Sequence, residues 1–262
     1  MRRGRRRPGD TSDADNPYWV SFTDLMTALL AVFMLAVVAL VLQVTQEQQA
    51  LAAQQEAAEQ ERDEFSSHIA DLSRAEDVRA QMLLEIADGL QSQGLAVHVS
   101  EDNSVLSIPT ELLGFESSEW ELRPEHQAVA LQIGETISAA LRTDDRFRYI
   151  DTVFVEGHTD NNQFEGVEGT GNWGLSTFRA ISLWRYWETA LPADHRLATL
   201  QRSDGSPLFS VSGYGETRPV TSQQTTDAER AANRRIEIRF TVIRPTAEDL
   251  SRLLDEAPAE EG

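Results

Sequence analysis

Cysteine and lysine are both absent from this chain of 262 residues. Without cysteine, the protein can form neither a disulfide framework nor a thiolate metal site. The sequence also lacks a GxSxG nucleophile motif and a histidine-rich ligand set, so we expect no enzyme, no bound cofactor and no metal site. Acidic residues (43) outnumber basic residues (23), for a net charge of −20. Because nucleic acids require a basic face, this balance argues against direct nucleic-acid binding.

A single long apolar segment, Val20–Leu42, stands near the N-terminus. At about 1.5 Å per residue it would extend roughly 34 Å, enough to cross a bilayer core. Five arginines and no acid lie in Met1–Arg7, which predicts a cytoplasmic N-terminus and a periplasmic C-terminal part. No A-x-A site followed by a mature start is evident, which favours an uncleaved inner-membrane anchor over a signal peptide.

Asp24 is the only charged residue of this apolar segment. A carboxylate inside a membrane costs on the order of 2.5–3.5 kcal/mol, so such residues usually have a function. Asn16 and Pro17 predict the helix start, and Asp24 lies too far along to cap it. Ser21, Asp24 and Thr27 share one helix face, as expected for contact with a protein partner. We predict that Asp24 carries an ion with support from Ser21 and Thr27; an interfacial position for Asp24 is the alternative.

Residues 43–93 contain no proline and are rich in Gln, Ala and Glu, which predicts a helical linker. Apolar residues recur in this segment at a spacing of seven, which is typical of a parallel coiled-coil dimer. They are Val44, Leu51, Ala58, Phe65, Leu72 and Ile86, with Ile69, Leu83 and Leu90 at the complementary position. The alternative interpretation is a solvated single helix.

Downstream of this linker, alternating strand and helix patterns predict an α+β domain, with a mixed sheet and helices on one of its faces. The predicted strands are Ala96–Ser100, Val105–Ile108, Asp151–Glu156, Leu208–Tyr214 and Arg235–Ile243. The predicted helices are Pro124–Leu141, Asn172–Leu191 and a turn at Ala228–Asn233. The predicted organisation is an arginine-rich tail (1–15), a transmembrane helix (16–42), a linker (43–93), the domain (94–245) and an acidic tail (246–262).

Four motifs in order resemble the OmpA-like peptidoglycan-binding domain. They are Val155-Glu156-Gly157-His158-Thr159-Asp160, Asn172-x-x-Leu175-Ser176-x-x-Arg179-Ala180, Gly213-Tyr214-Gly215-Glu216-x-x-Pro219 and Asn233-Arg234-Arg235-Ile236-Glu237-Ile238. The resemblance implies peptidoglycan binding by Asp160 and Arg179, with Thr159, Asn172 and Arg234 as further contributors. The glycine-rich insert 161–171 is longer than is usual in this family.

The implied ligand is the diaminopimelate stem peptide, whose free end carries an ammonium and a carboxylate on one carbon. Asp160 suits the ammonium, and the planar guanidinium of Arg179 suits the carboxylate. A loop-capping aspartate and a surface arginine are the alternatives. His158 with Asp160 is a weak metal pattern, and we expect a structural imidazole. Glu116, Glu119 and Glu121 are expected to be solvated.

Combined with the apolar segment, this domain organisation resembles the MotB-like stator B subunits of ion-driven motors. The stretch Trp19-x-x-Phe22-Thr23-Asp24-Leu25-Met26-Thr27-x-Leu29 is most similar to the ZorB group of Zorya anti-phage systems. The resemblance implies a homodimer inside a ring of a multi-span ZorA- or MotA-like channel subunit, with a proton as the expected ion. A flagellar motor stator and a passive peptidoglycan tether are the alternative functions.

Overall fold

A computed structural model describes residues 17–115, 118–166 and 169–244 of the chain. The arginine-rich tail, the predicted cap Asn16, Glu116 and the acidic tail lie outside these described residues. The chain divides into two compact units, with the boundary between Asp63 and Glu64.

The first unit is the N-terminal part of helix α1, which extends over Pro17–Ser92. The helix begins at Pro17, as the sequence predicted. Proline suits the first helical position because the N–H that it lacks would have no partner within the helix there. Its apolar part is long enough, by length and composition, to cross a membrane. The large side chains of this part are exposed in the isolated chain, as a surrounding of lipid or partner protein would require.

The second unit contains a five-stranded sheet with the strand order β1-β2-β5-β3-β4. Strands β3 and β4 are parallel, and the other neighbouring pairs are antiparallel. This mixed sheet confirms the predicted α+β class. The strands are β1 (His98–Val99), β2 (Val105–Pro109), β3 (Ile150–His158), β4 (Phe209–Gly213) and β5 (Arg235–Val242). The helices that follow α1 are α2 (Thr110–Leu113), α3 (Gln127–Arg142), α4 (Gly171–Ala190) and α5 (Asp227–Asn233).

Helix α4 lies unusually close to strand β3, and Gly157 makes this approach possible. A Cβ atom at position 157 would overlap the carbonyl oxygen of Ser176 on α4. The buried indole of Trp187 then joins α4 to α3 by donating a 2.7 Å hydrogen bond to the Ala130 carbonyl. This packing brings the side chains of α4 next to the loop that follows β3.

The C-terminal turns of α1 belong to the core of the domain, which differs from the expected linker over 43–93. Ala75, Met82, Leu83, Ile86, Ala87 and Leu90 are at most 5% exposed and join the core cluster. Arg79 of the same helix donates hydrogen bonds to the carbonyls of Asp102 and Asn103. The sheet would otherwise leave apolar side chains in water, and burial of α1 removes that cost.

This packing also changes the interpretation of the seven-residue pattern. The downstream positions Leu83, Ile86 and Leu90 are buried within the chain, so they are not available to a second copy. The upstream positions Val44 and Leu51 remain about half exposed, at 44% and 58%. Any self-pairing of the helix is therefore restricted to its upstream part.

Leu83→Ala should destabilise the domain by about 2–5 kcal/mol, because it removes buried methyl groups and leaves a cavity. Leu84→Ala is the matched control: Leu84 is its neighbour on α1 and is 51% exposed, so its loss should change stability by about 0.5 kcal/mol or less. Urea unfolding of the full chain in detergent, followed by tryptophan fluorescence, measures both. Equal midpoints for the two variants would contradict the docking of α1 on the domain.

Candidate functional site

A cleft of about 480 Å³ opens beside the end of strand β3. Most of the side chains that line it are charged or polar. The charged and polar ones are Glu111, Arg123, His126, Asn162, Asp227, Arg230 and Arg234. Phe115 is apolar, and Gly114 contributes backbone only. The cleft therefore offers both signs of charge, in a protein whose overall charge is strongly negative.

Asp160 is 4% exposed and contacts two residues that line this cleft, Arg234 and Asn162. Its Oδ2 atom accepts a charge-assisted hydrogen bond of 2.8 Å from Nη1 of Arg234. Its Oδ1 atom accepts from the backbone N–H of Asn162 at 2.9 Å. The carboxylate is thus fixed in position by a cation and a backbone donor. The bond from Asn162 is the contact expected of a loop-capping aspartate, and the bond from Arg234 is the additional contact that places Asp160 in a charged cluster.

Arg179 on α4 is 1% exposed and contacts Phe115, which lines the cleft. Its Nε atom donates to the Glu119 carbonyl at 2.8 Å, and its guanidinium carbon is 5.8 Å from the centre of the Phe115 ring. Burial lowers the pKa of Arg179 to about 10, although the nearby charge of Asp160 raises it. Arg179 therefore remains charged at neutral pH, in one electrostatic cluster with Asp160 and Arg234.

The other two predicted site residues serve the loop after β3. Asn172 donates through Nδ2 to the carbonyls of Asn162 (3.0 Å) and Asp160 (3.4 Å), so it braces that loop. The backbone N–H of Thr159 donates to the Gly215 carbonyl at 3.0 Å. Among the five predicted residues, only Arg234 lines the cleft directly, and Asp160 and Arg179 lie buried beside it.

His126 is a cleft residue that the sequence motifs did not indicate. Its Nδ1 atom is 3.2 Å from the carbonyl oxygen of Leu112. Since a carbonyl can only accept, Nδ1 carries the proton, and Nε2 is the other polar atom of the ring. Gly114, at φ +68°, has no side chain where a Cβ atom would overlap the His126 ring. That glycine after a short helix was the only sequence signal for this contact.

Arg230 was also missed, and it organises the segment before α5. It donates to Asp227 and to the carbonyls of Gln224 and Thr225. Thr226 and Glu229 form a reciprocal capping box at the start of α5. Hydrogen bonds from the backbone of Thr226, then from Thr225, lower the pKa of Glu229 to about 2. This short, well-capped helix leads directly to Arg234, so its start helps to fix the arginine.

The glycine-rich insert is anchored at its first part by an aromatic contact. Phe164 is 7% exposed, and its ring meets that of Trp120 edge to face at 5.9 Å. Trp120 in turn contacts Phe178 of α4 at 5.8 Å. Residues 167–168 of the insert lie outside the described part of the chain. The rim of the cleft is thereby tied to α4, the helix that carries Arg179.

The second candidate site is the face of α1 that carries Ser21, Asp24 and Thr27. All three are exposed in the isolated chain. The Thr27 hydroxyl donates to the Thr23 carbonyl at 2.7 Å within the same helix. None of the described residues forms an ion pair with Asp24. An acid in an apolar helix needs a polar partner, so this face is suited to contact with another protein.

Comparison with known proteins defines the class of this domain: residues 114–234 match the OmpA family. Over 169 residues the chain is 26% identical to Motility protein B of Bacillus subtilis (strain 168). The matched region covers 64% of this chain and 57% of that protein, so it spans less than two thirds of this relative's length. It is 24% identical over 247 residues to Uncharacterized protein YtxE of the same organism, covering 89% and 92%. The chain is thus MotB-like in sequence and carries an OmpA-family domain.

Among solved structures, a putative MotB-like protein from Desulfovibrio vulgaris is 22% identical, with a TM-score of 0.47. The match covers 66% of this chain and 99% of that one. The cell wall anchor of the T6SS from Pseudomonas aeruginosa is 26% identical, with a TM-score of 0.44, covering 63% and 99%.

Proposed function

We propose that this protein is a stator-like subunit that binds peptidoglycan through its C-terminal domain and carries an ion at Asp24 of its N-terminal helix. The observation that carries the proposal is the cluster of Asp160, Arg179 and Arg234 at one cleft of an OmpA-family domain. The apolar part of α1, which carries Asp24, supports the proposed ion passage. The proposed role is one of binding and ion passage, not of enzymatic catalysis.

The cluster suits a zwitterionic ligand, which we propose is the diaminopimelate end of a stem peptide. An ionised carboxylate has about four acceptor sites, so Asp160 can accept from a ligand ammonium in addition to Arg234. Arg179 and Arg234 then offer planar donors to the ligand carboxylate. Both charges of the ligand meet groups that are already oriented, so little is lost in ordering them on binding.

A pull-down of the full chain in detergent with purified sacculi tests this assignment. Asp160→Asn and Arg179→Gln should each weaken binding by about 2–5 kcal/mol, since each change leaves a buried charge of the complex unmatched. Arg185→Gln is the matched control, because Arg185 is on the same helix but is exposed. Retention of both site variants on sacculi at the wild-type level would refute the proposed site.

For the membrane half, we propose a single-pass inner-membrane protein with a periplasmic C-terminal domain. One helix cannot line a pore alone, so the proposal includes a homodimer and a multi-span ZorA- or MotA-like channel subunit arranged as a ring around it. Asp24 would take up a proton, lose its charge and release the proton on the other side. Ser21 and Thr27 would support it on the face toward the partner. Exposed Val44 and Leu51 are available for the homodimer contact.

The system that this motor serves has two candidates. The residues around Asp24, from Trp19 to Leu29, support a role in Zorya-type anti-phage defence. The similarity to Motility protein B supports a motility stator as the second candidate. A passive peptidoglycan tether is the third reading, and it differs from both because it does not need a titratable group at position 24.

Asp24→Asn should abolish protection from phage, or motility, when the chain is produced with its multi-span partner. The amide occupies the same volume but cannot take up and release a proton, whereas Asp24→Glu should retain some activity. Glu47→Gln, an exposed acid later on the same helix, is the matched control and should behave as wild type. Plating efficiency of phage, swimming and membrane insertion are the measurements. Full activity of Asp24→Asn with normal insertion would leave only the tether.

A further inference from the structure

A second cluster of titratable groups lies where strands β3 and β5 pair. Glu156 and Glu237 stand directly opposite each other in this antiparallel pair. Both are buried, at 1% and 9% exposure. Like charges opposed across a sheet are destabilising unless cations compensate for them. The pair therefore requires compensating positive charge, and Arg239 contacts both carboxylates.

His158 completes the cluster and is 1% exposed. Its ring stacks on Tyr214 with 5.3 Å between ring centres. Its Nε2 atom is 3.2 Å from Oε2 of Glu237, close enough for an ion pair but without the geometry of a directed hydrogen bond, and Nδ1 makes no hydrogen bond with any described residue. A buried imidazole without a directed hydrogen bond costs free energy, so its position requires a physical reason.

These three side chains are close enough together for one metal ion to contact all of them after small side-chain movements. One ligand atom from each lies within 4.8 Å of those from the other two. Two ligands bound at about 2.0–2.1 Å to a tetrahedral ion are roughly 3.3–3.4 Å apart. The 3.2 Å between His158 Nε2 and Glu237 Oε2 is close to this distance.

Other side chains hold the two carboxylates in place, as outer groups do around metal ligands. The Tyr214 hydroxyl donates to Glu156 Oε1 at 3.0 Å, and Arg235 Nε donates to Glu237 Oε1 at 2.7 Å. Arg239 contacts Oε2 of both glutamates, at 2.9 Å and 3.5 Å. The Arg239 side chain is 30% exposed, so it is able to turn toward solvent and give up its contacts.

We propose that Glu156, His158 and Glu237 form a binding site for a divalent transition-metal ion of the Zn²⁺ class. One imidazole and two carboxylates favour such ions over Mg²⁺ and Ca²⁺, which prefer oxygen ligands alone. A cavity of about 560 Å³, lined by Arg235, Glu237 and Arg239, gives access from solvent. Arg239 is the cation with which a metal ion would compete for the two carboxylates. The free energy needed to displace Arg239 lowers the affinity for the metal. This site is separate from Asp160, which is paired with Arg234.

Titration of the untagged, chelator-treated full chain in detergent with Zn²⁺ tests the proposal by calorimetry, and Co²⁺ gives a visible absorption spectrum. We expect one ion per chain, a raised Tm and no comparable effect of Mg²⁺. His158→Gln and Glu237→Gln should each lose binding at least tenfold. His98→Gln removes an exposed histidine that lines the same cavity and should bind as wild type.

Arg239→Gln is the most specific variant, because it keeps all three ligands and removes the competing cation. It should bind Zn²⁺ more tightly than wild type, a gain that poor folding does not produce. Circular dichroism of each variant checks the fold. Absence of Zn²⁺ binding in both wild type and Arg239→Gln, or unchanged binding in His158→Gln, would overturn the proposal and leave an ion-pair network alone.

Discussion

The ion pair between Asp160 and Arg234 is the contact around which the cleft beside β3 is organised. It joins the end of β3 to the residue between α5 and β5, two segments that are 74 residues apart in sequence. Both side chains are largely removed from solvent, so loss of one would leave the other charge without its partner. The capping box of α5 and the brace at Asn172 support the two ends of this pair. The cleft is therefore ordered before any ligand arrives.

The absence of a side chain at Gly157 determines the position of the third charged residue, Arg179. Because position 157 has no side chain, α4 approaches β3 closely enough to bring Arg179 near Asp160. The core that holds α4 includes the last turns of α1, so the same helix contributes an apolar segment at one end and a structural element of the C-terminal domain at the other. We infer that the domain cannot be separated from α1 at residue 94 without loss of stability.

The alternation of apolar residues predicted the strands and the helices α3 and α4 well, because period two and period 3.6 are local properties. The fate of Leu83, Ile86 and Leu90 was not predictable in this way. A seven-residue pattern indicates that one helix face is buried, but it does not indicate whether a second copy or the same chain buries it. The motifs predicted Asp160, Arg179 and Arg234 as site residues, and the structure places these three in one charged cluster. The positions of His126 and Arg230 in the cleft depend on turns, and the pairing of Glu156 with Glu237 depends on strand register. Neither turns nor register can be read from a local apolar pattern.

We propose that the cleft recognises the two opposite charges at the free end of the stem peptide. The affinity of the full chain, measured by calorimetry, for two muropeptides that differ only at the diaminopimelate carboxylate tests this recognition. One has the free carboxylate, and the other has it amidated. We expect the amidated ligand to bind at least tenfold more weakly, since Arg179 would lose its anionic partner. Equal affinities for the two muropeptides would contradict recognition by this cluster.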